Sequence, residues 1–135
     1  LVDEISKVND NVIVVLSCGS PIKMDMWECK VKSILNLYLG GQAGGEAAYN
    51  LIYGKVNPSG KTSETYAYSY SDNPTYGRYP GGPVTSEHRE GIYLGYRYYD
   101  KTAREVLFPF GYGLSYTEFE YSDLKLSKKK IKFIQ

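Results

Sequence analysis

Val12-Ile13-Val14-Val15-Leu16 is a run of five aliphatic residues, four of them branched at Cβ. Branching at Cβ favours extended backbone, and an unbroken apolar run fits a strand buried on both faces, as in a parallel sheet. Upstream, Leu1, Ile5 and Val8 share helical spacing, and Asn9-Asp10-Asn11 ends that helix. Downstream, Ser17-Cys18-Gly19-Ser20-Pro21 turns the chain at the strand's carboxyl end, the edge where open α/β sheets bind ligands. Helical patterns on either side of a buried strand predict an α/β fold.

Further along, Asp25 has Glu28 three residues on, the spacing of a capping box. Trp27, Val31, Ile34, Leu35 and Tyr38 fall on one apolar stripe, which predicts a helix stopped by Gly40 and Gly41. A second helix is predicted from Gly44 to about Tyr53, with Ala47, Ala48, Leu51 and Ile52 inward and Gly54 as its left-handed stop. Asn57-Pro58-Ser59-Gly60 carries the residue preferences of a type I turn, and Lys61 to Tyr66 reads as the start of a short strand.

The 135 residues match one ordinary domain, and 42% hydrophobic against 23% charged residues fits a globular chain rather than a disordered one. A net charge of +1 argues against nucleic acid or an anionic membrane as a partner, and no apolar run approaches the ~20 residues of a membrane span. Fifteen tyrosines are the unusual feature, and twelve of them lie from Tyr66 to Tyr121. A tyrosine ring is flat with a polar tip, suited to stacking on polar ligands such as sugars. From Tyr66 to about Pro83 the chain is Tyr, Ser, Gly and Pro with almost no aliphatic residues, a loop long enough to be a functional surface. Tyr93, Tyr96 and Tyr99 are spaced either to stack a ligand or to form one packed helical face. Phe119, Tyr121, Leu124 and Leu126 begin an alternating strand, and Lys128-Lys129-Lys130 reads as a solvated turn. Leu1 is not an initiator Met, and Ile131, Phe133 and Ile134 are too apolar for a free tail, so both ends look like cuts in a longer chain.

Local catalytic motifs are weak. Gly40-Gly41-Gln42-Ala43-Gly44-Gly45 suggests a phosphate loop, but a predicted helix precedes it and no Lys-Ser/Thr pair follows, so a tight helix–helix turn is the better reading. Cys18 and the single His88 carry no nucleophile–base signature. Glu87 and Glu90 read as surface charges rather than paired catalytic carboxylates. Cys18 and Cys29 are compatible with one bridge, but a reduced pair packed as small apolar residues is preferred, and no metal spacing surrounds them.

Several stretches, in this order and at this spacing, resemble the second domain of family 3 glycoside hydrolases of the β-glucosidase type. They are Val12 to Pro21, Gly41-Gln42-Ala43-Gly44-Gly45-Glu46-Ala47, Gly54-Lys55-Val56-Asn57-Pro58-Ser59-Gly60-Lys61, Glu90 to Asp100, and Phe108-Pro109-Phe110-Gly111-Tyr112-Gly113-Leu114-Ser115-Tyr116. The resemblance implies residues 1–117 as the C-terminal half of a three-layer α/β/α sandwich domain with a mostly parallel sheet. It implies residues 118–135 as the first strand of a fibronectin-type-III-like domain. It departs from the usual pattern at Thr62-Ser63-Glu64-Thr65, where relatives commonly carry Leu-Pro-x-Thr.

What the resemblance implies about chemistry is a retaining hydrolysis of terminal β-linked glucosyl residues, with an Asp nucleophile and a Glu acid/base. Both fall before Leu1 in the family's order, so no residue here inherits a catalytic role and the chain alone is expected to be inactive. Such hydrolysis needs no cofactor and no metal. The expected partners are β-linked glucosides or short oligosaccharides and the barrel domain of the same polypeptide, with neither nucleic acid nor membrane. Within Tyr70 to Pro80, Tyr76 is the candidate to stack an aglycone-side sugar and Asp72 to accept hydroxyl hydrogen bonds. The alternative for that loop is a brace at the domain interface. Alternatives for the whole are a sugar-binding module using the loop from Tyr66 to Tyr79, a β-xylosidase or α-arabinofuranosidase specificity, or a structural piece that self-associates through a bare sheet.

Overall fold

The computed structural model describes residues 1–128 and 130. The chain is a partial α/β arrangement: helix α1 (Val2–Ser6), strand β1 (Ile13–Leu16), strand β2 (Ser33–Asn36), helix α2 (Gly44–Ile52) and helix α3 (Tyr96–Thr102), with two short 3-10 turns. The aliphatic run forms β1 as its branched side chains dictate, one residue shorter than read. It pairs in parallel with β2, Ile13 opposite Ser33 through Leu16 opposite Asn36. Bonds from Lys32 N–H to Val12 O and from Leu37 N–H to Leu16 O, both 2.9 Å, extend the ladder at each end. Burial alternates, however. Ile13 and Val15 are exposed while Val14 and Leu16 are half-buried, so the strand covers one face and not the two expected.

The helix predicted from Trp27 to Tyr38 is not formed. Its residues make a 3-10 turn at Glu28–Lys30 and then β2. Apolar spacing alone does not separate a short helix from a strand. Here Val31 and Ile34 are β-branched, and the open edge of β1 offers the segment a ladder that a free helix lacks. The Asp25 cap is likewise absent: the Met24 carbonyl, not the Asp25 side chain, receives the Trp27 and Glu28 N–H groups at 2.9 Å. Since β2 precedes the glycine-rich segment, Gly40 to Gly45 joins a strand to a helix rather than two helices. Gly41 sits at φ 61°, and a Cβ on Gly40 would lie 3.0 Å from the Gly44 Cα, so the turn depends on both glycines. Helix α2 lies where read, with Gly54 in the left-handed region (φ 68°) donating to the Leu51 carbonyl at 3.1 Å.

Asn57-Pro58-Ser59-Gly60 does not close as a type I turn. The Asn57 side chain instead reaches across to residues 115–117. Its Oδ1 accepts from Ser115 Oγ (3.0 Å) and Tyr116 N–H (2.9 Å), and its Nδ2 donates to Thr117 Oγ1 (2.8 Å). Tyr116 in turn donates its hydroxyl to the Leu51 carbonyl at 2.8 Å, a second donor on the carbonyl that Gly54 already caps at the end of α2. Beside this clamp, Thr62 to Tyr66 runs antiparallel to Leu107 to Tyr112. Tyr66 N–H donates to Phe108 O at 2.8 Å and Thr62 N–H to Tyr112 O at 2.7 Å. Tyr66, Met24 and Tyr99 are the buried hydrophobic residues among those described.

Residues 118–128 form no helix or strand, and Asp123 at φ 56° interrupts the extended alternation expected from Phe119 to Leu126. Of the predicted Lys128-Lys129-Lys130 turn, Lys129 lies outside the described residues, as do Ile131, Phe133 and Ile134. No described helix is long and apolar enough to cross a membrane.

Candidate functional site

The tyrosine-rich loop is built on a 3-10 turn at Tyr70–Asp72. Ser69 and Asp72 close it as a capping box: Asp72 Oδ2 accepts from Ser69 N–H at 2.9 Å, and Ser69 Oγ accepts from Ser71 N–H at 3.4 Å. Pro74 keeps Asn73 extended (φ −73°, ψ 140°) and so ends the turn. Further turns follow, with Tyr76 N–H on Asn73 O at 3.0 Å and Arg78 N–H on Thr75 O at 2.9 Å.

This folding brings Tyr70 and Tyr76 together, ring centroids 5.3 Å apart and nearly perpendicular. The edge-to-face arrangement is one of the two that aromatic quadrupoles favour. Tyr70 is 61% and Tyr76 53% exposed, so ring surface stays open to a ligand. Asp72 is placed differently. Its second oxygen accepts from Arg104 Nη1 at 3.1 Å, so both carboxylate oxygens already serve the fold. Each retains lone-pair capacity for a further donor.

Two residues outside the loop complete the site: Arg104, which the sequence did not mark, and Tyr99, which it marked only as part of a stacking or packed aromatic face. Arg104 holds Asp72, and the Tyr99 hydroxyl donates to Asn73 Oδ1 at 3.1 Å. They lie 32 and 26 positions from their partners, beyond any local periodicity. The Ser69-x-x-Asp72 spacing was the one readable signal. Burial of Tyr99 raises its phenol pKa above the usual value, and the Asp72 carboxylate adds to the effect. The Tyr66 phenol is raised further, by burial first and then by Tyr38; it accepts a 2.6 Å bond from Asn36 Nδ2.

The remaining candidates stay apart from this site. Tyr96 stacks on Phe110 with centroids 4.6 Å apart, and Tyr99 packs inward, so that part of the Tyr93, Tyr96, Tyr99 face is structural. Glu87 pairs with Arg89, which lowers the carboxyl pKa; both side chains are exposed, as expected of surface charges. Cys18 and Cys29 are free thiols, with Cys29 exposed rather than packed. Among the described residues no group of three or more His, Cys, Asp or Glu side chains is placed to hold a metal ion.

Residues 1–116 match the model of the glycosyl hydrolase family 3 C-terminal domain. The chain is 50% identical over 131 residues to thermostable beta-glucosidase B of Acetivibrio thermocellus, covering 97% of this chain and 17% of that protein. It is 41% identical over 128 residues to an exo-alpha-(1->6)-L-arabinopyranosidase of Bifidobacterium longum, covering 95% and 17% respectively. Its fold superposes on the beta-glucosidase of Kluyveromyces marxianus solved in complex with glucose, with a TM-score of 0.85 and 37% identity, over 93% of this chain and 15% of that one. The chain therefore spans about a sixth of the length of the curated relatives it matches. A matching family model over most of the chain, close relatives and a shared fold lead to one conclusion: the chain belongs to glycoside hydrolase family 3, within its C-terminal domain.

Proposed function

We propose that the chain is part of a β-glucosidase-type hydrolase that removes terminal β-linked glucosyl residues by the retaining, two-carboxylate route. The observation that carries the reading is the family match over residues 1–116 together with half-identity to a beta-glucosidase. The Asp nucleophile and Glu acid/base belong to the rest of that polypeptide, including its barrel domain, and this chain supplies part of the rim of the cleft. On that rim Tyr76, edged by Tyr70, stacks the aglycone-side sugar, while Asp72 offers its free lone pairs to a sugar hydroxyl. Residues 1–117 form the sandwich portion, and 118–135 begin a fibronectin-type-III-like domain. The Asn57 contact to Thr117, beyond which no element forms through residue 128, supports that boundary.

The arabinopyranosidase relative, at 41% identity, favours one further reading, a different sugar specificity on the same machinery. A chromogenic β-glucoside tests the core proposal. The chain alone should give no turnover, and the full-length polypeptide should hydrolyse the glucoside faster than the α-arabinopyranoside. Turnover by the chain alone would overturn the placement of the catalytic carboxylates. Preference for the arabinopyranoside would select the second specificity.

A further inference from the structure

We infer that Arg104 is a positioning residue for the aromatic pair, fixing through Asp72 the angle at which Tyr70 and Tyr76 meet a sugar. The inference rests on the proposed role of Tyr76. A 3-10 turn of three residues has poor internal geometry and does not persist on its own. Tyr70 and Tyr76 are both more than half exposed, so packing does not fix them either. What holds the turn from outside comes from one short stretch. Tyr99 binds Asn73, and five residues on Arg104 binds Asp72 at 3.1 Å.

The stretch is shaped for this. Helix α3 ends at Ala103 in the left-handed region (φ 48°, ψ 37°), which turns the Arg104 N–H back onto the Tyr99 carbonyl at 3.1 Å. The guanidinium then lies 5.9 Å from the Tyr98 ring centroid, a cation–π distance that steadies its long stem. Asp72 is the pivot. Its Oδ2 closes the capping box that carries Tyr70, and its Oδ1 takes the arginine. Releasing Arg104 leaves the box intact but frees it to rotate, and the two rings with it.

The test uses the full-length polypeptide with two substrates, cellobiose, which places a sugar on the aglycone side, and methyl β-D-glucoside, which does not. Arg104→Met should raise KM for cellobiose about 3- to 10-fold, the range of one aromatic contact. It should leave kcat and the methyl glucoside KM unchanged and lower the unfolding midpoint only slightly, as loss of a part-exposed ion pair does, and Arg104→Lys should recover part of the loss. Tyr76→Ala should give a similar rise, and the double variant no more than either alone. If Tyr76→Ala leaves the cellobiose KM unchanged, the stacking reading falls and the inference with it. If Tyr76→Ala acts but Arg104→Met does not, or if the two effects multiply, the stacking reading stands and the positioning role of Arg104 is overturned. Equal loss on both substrates would also overturn it.

Discussion

The Tyr99 hydroxyl donates a 3.1 Å hydrogen bond to Asn73 Oδ1, joining the one buried side chain of helix α3 to the turn that carries the aromatic pair. Asn73 is engaged through both amide atoms: its Nδ2 also donates to the Tyr70 carbonyl at 2.9 Å. Tyr99→Phe keeps the buried ring and removes only the hydroxyl. It should cost about 1 kcal/mol, the usual worth of one such bond. The midpoint of urea unfolding measures it, with an unchanged slope expected.

Alkaline pH should weaken the fold through the same residue. Burial, then the Asp72 charge, raises the Tyr99 pKa above its ordinary value of 10.0. A pKa raised in the folded state means that the unfolded chain loses its proton first. The stabilisation is therefore complete below about pH 10 and is lost as pH rises from there through the folded value. Urea midpoints from pH 8 to pH 11 should fall less steeply in Tyr99→Phe than in the natural sequence, because the substitution removes one of the groups responsible.

Asn57 makes three side-chain bonds to residues 115–117. Asn57→Ala should destabilise by about 1–2 kcal/mol, allowing for their exposure to water. Asn57→Asp keeps the two acceptor bonds and loses only the donation to Thr117, so a smaller effect is expected. Thermal unfolding of the pair separates the two contributions.

Glycine substitutions should take opposite signs at two places. At Gly113 a Cβ would come within 2.6 Å of the Gly60 carbonyl oxygen and 3.3 Å of the Lys61 Cα, so backbone must move. Gly113→Ala should cost about 1–3 kcal/mol. At Gly45, in the first turn of α2, a Cβ meets nothing within 4 Å. Gly45→Ala should stabilise by about 0.5 kcal/mol by restricting the unfolded chain. Calorimetric midpoints of the two variants should move in opposite directions.

Much of the fold was legible where the signal was local. The branched run at 12–16 formed β1, and the alanine-rich stretch ending at Gly54 formed α2. The segment from Trp27 to Tyr38 misled because its spacing fits a helix, while the decisive partner, the edge of β1, lies some twenty residues upstream. Asn57 to Gly60 misled for a related reason: its residues prefer a turn, but the Asn57 amide finds better partners nearly sixty positions away. Sequence reading located the candidate loop and its exposed tyrosine. It did not see that Asp72 is already engaged, since nothing near Asp72 announces Arg104.

The two tethering asparagines share a neighbour. Asn57 precedes Pro58, and Asn73 precedes Pro74. Spontaneous deamidation begins when the nitrogen of the following residue attacks the side-chain carbonyl, and proline has no N–H to give up in that ring closure. The clamp on residues 115–117 and the anchor of the aromatic turn therefore sit where asparagine is chemically long-lived. These joints are protected from ageing into aspartate, which would remove the Asn57 amide that donates to Thr117 and put a charge into the clamp.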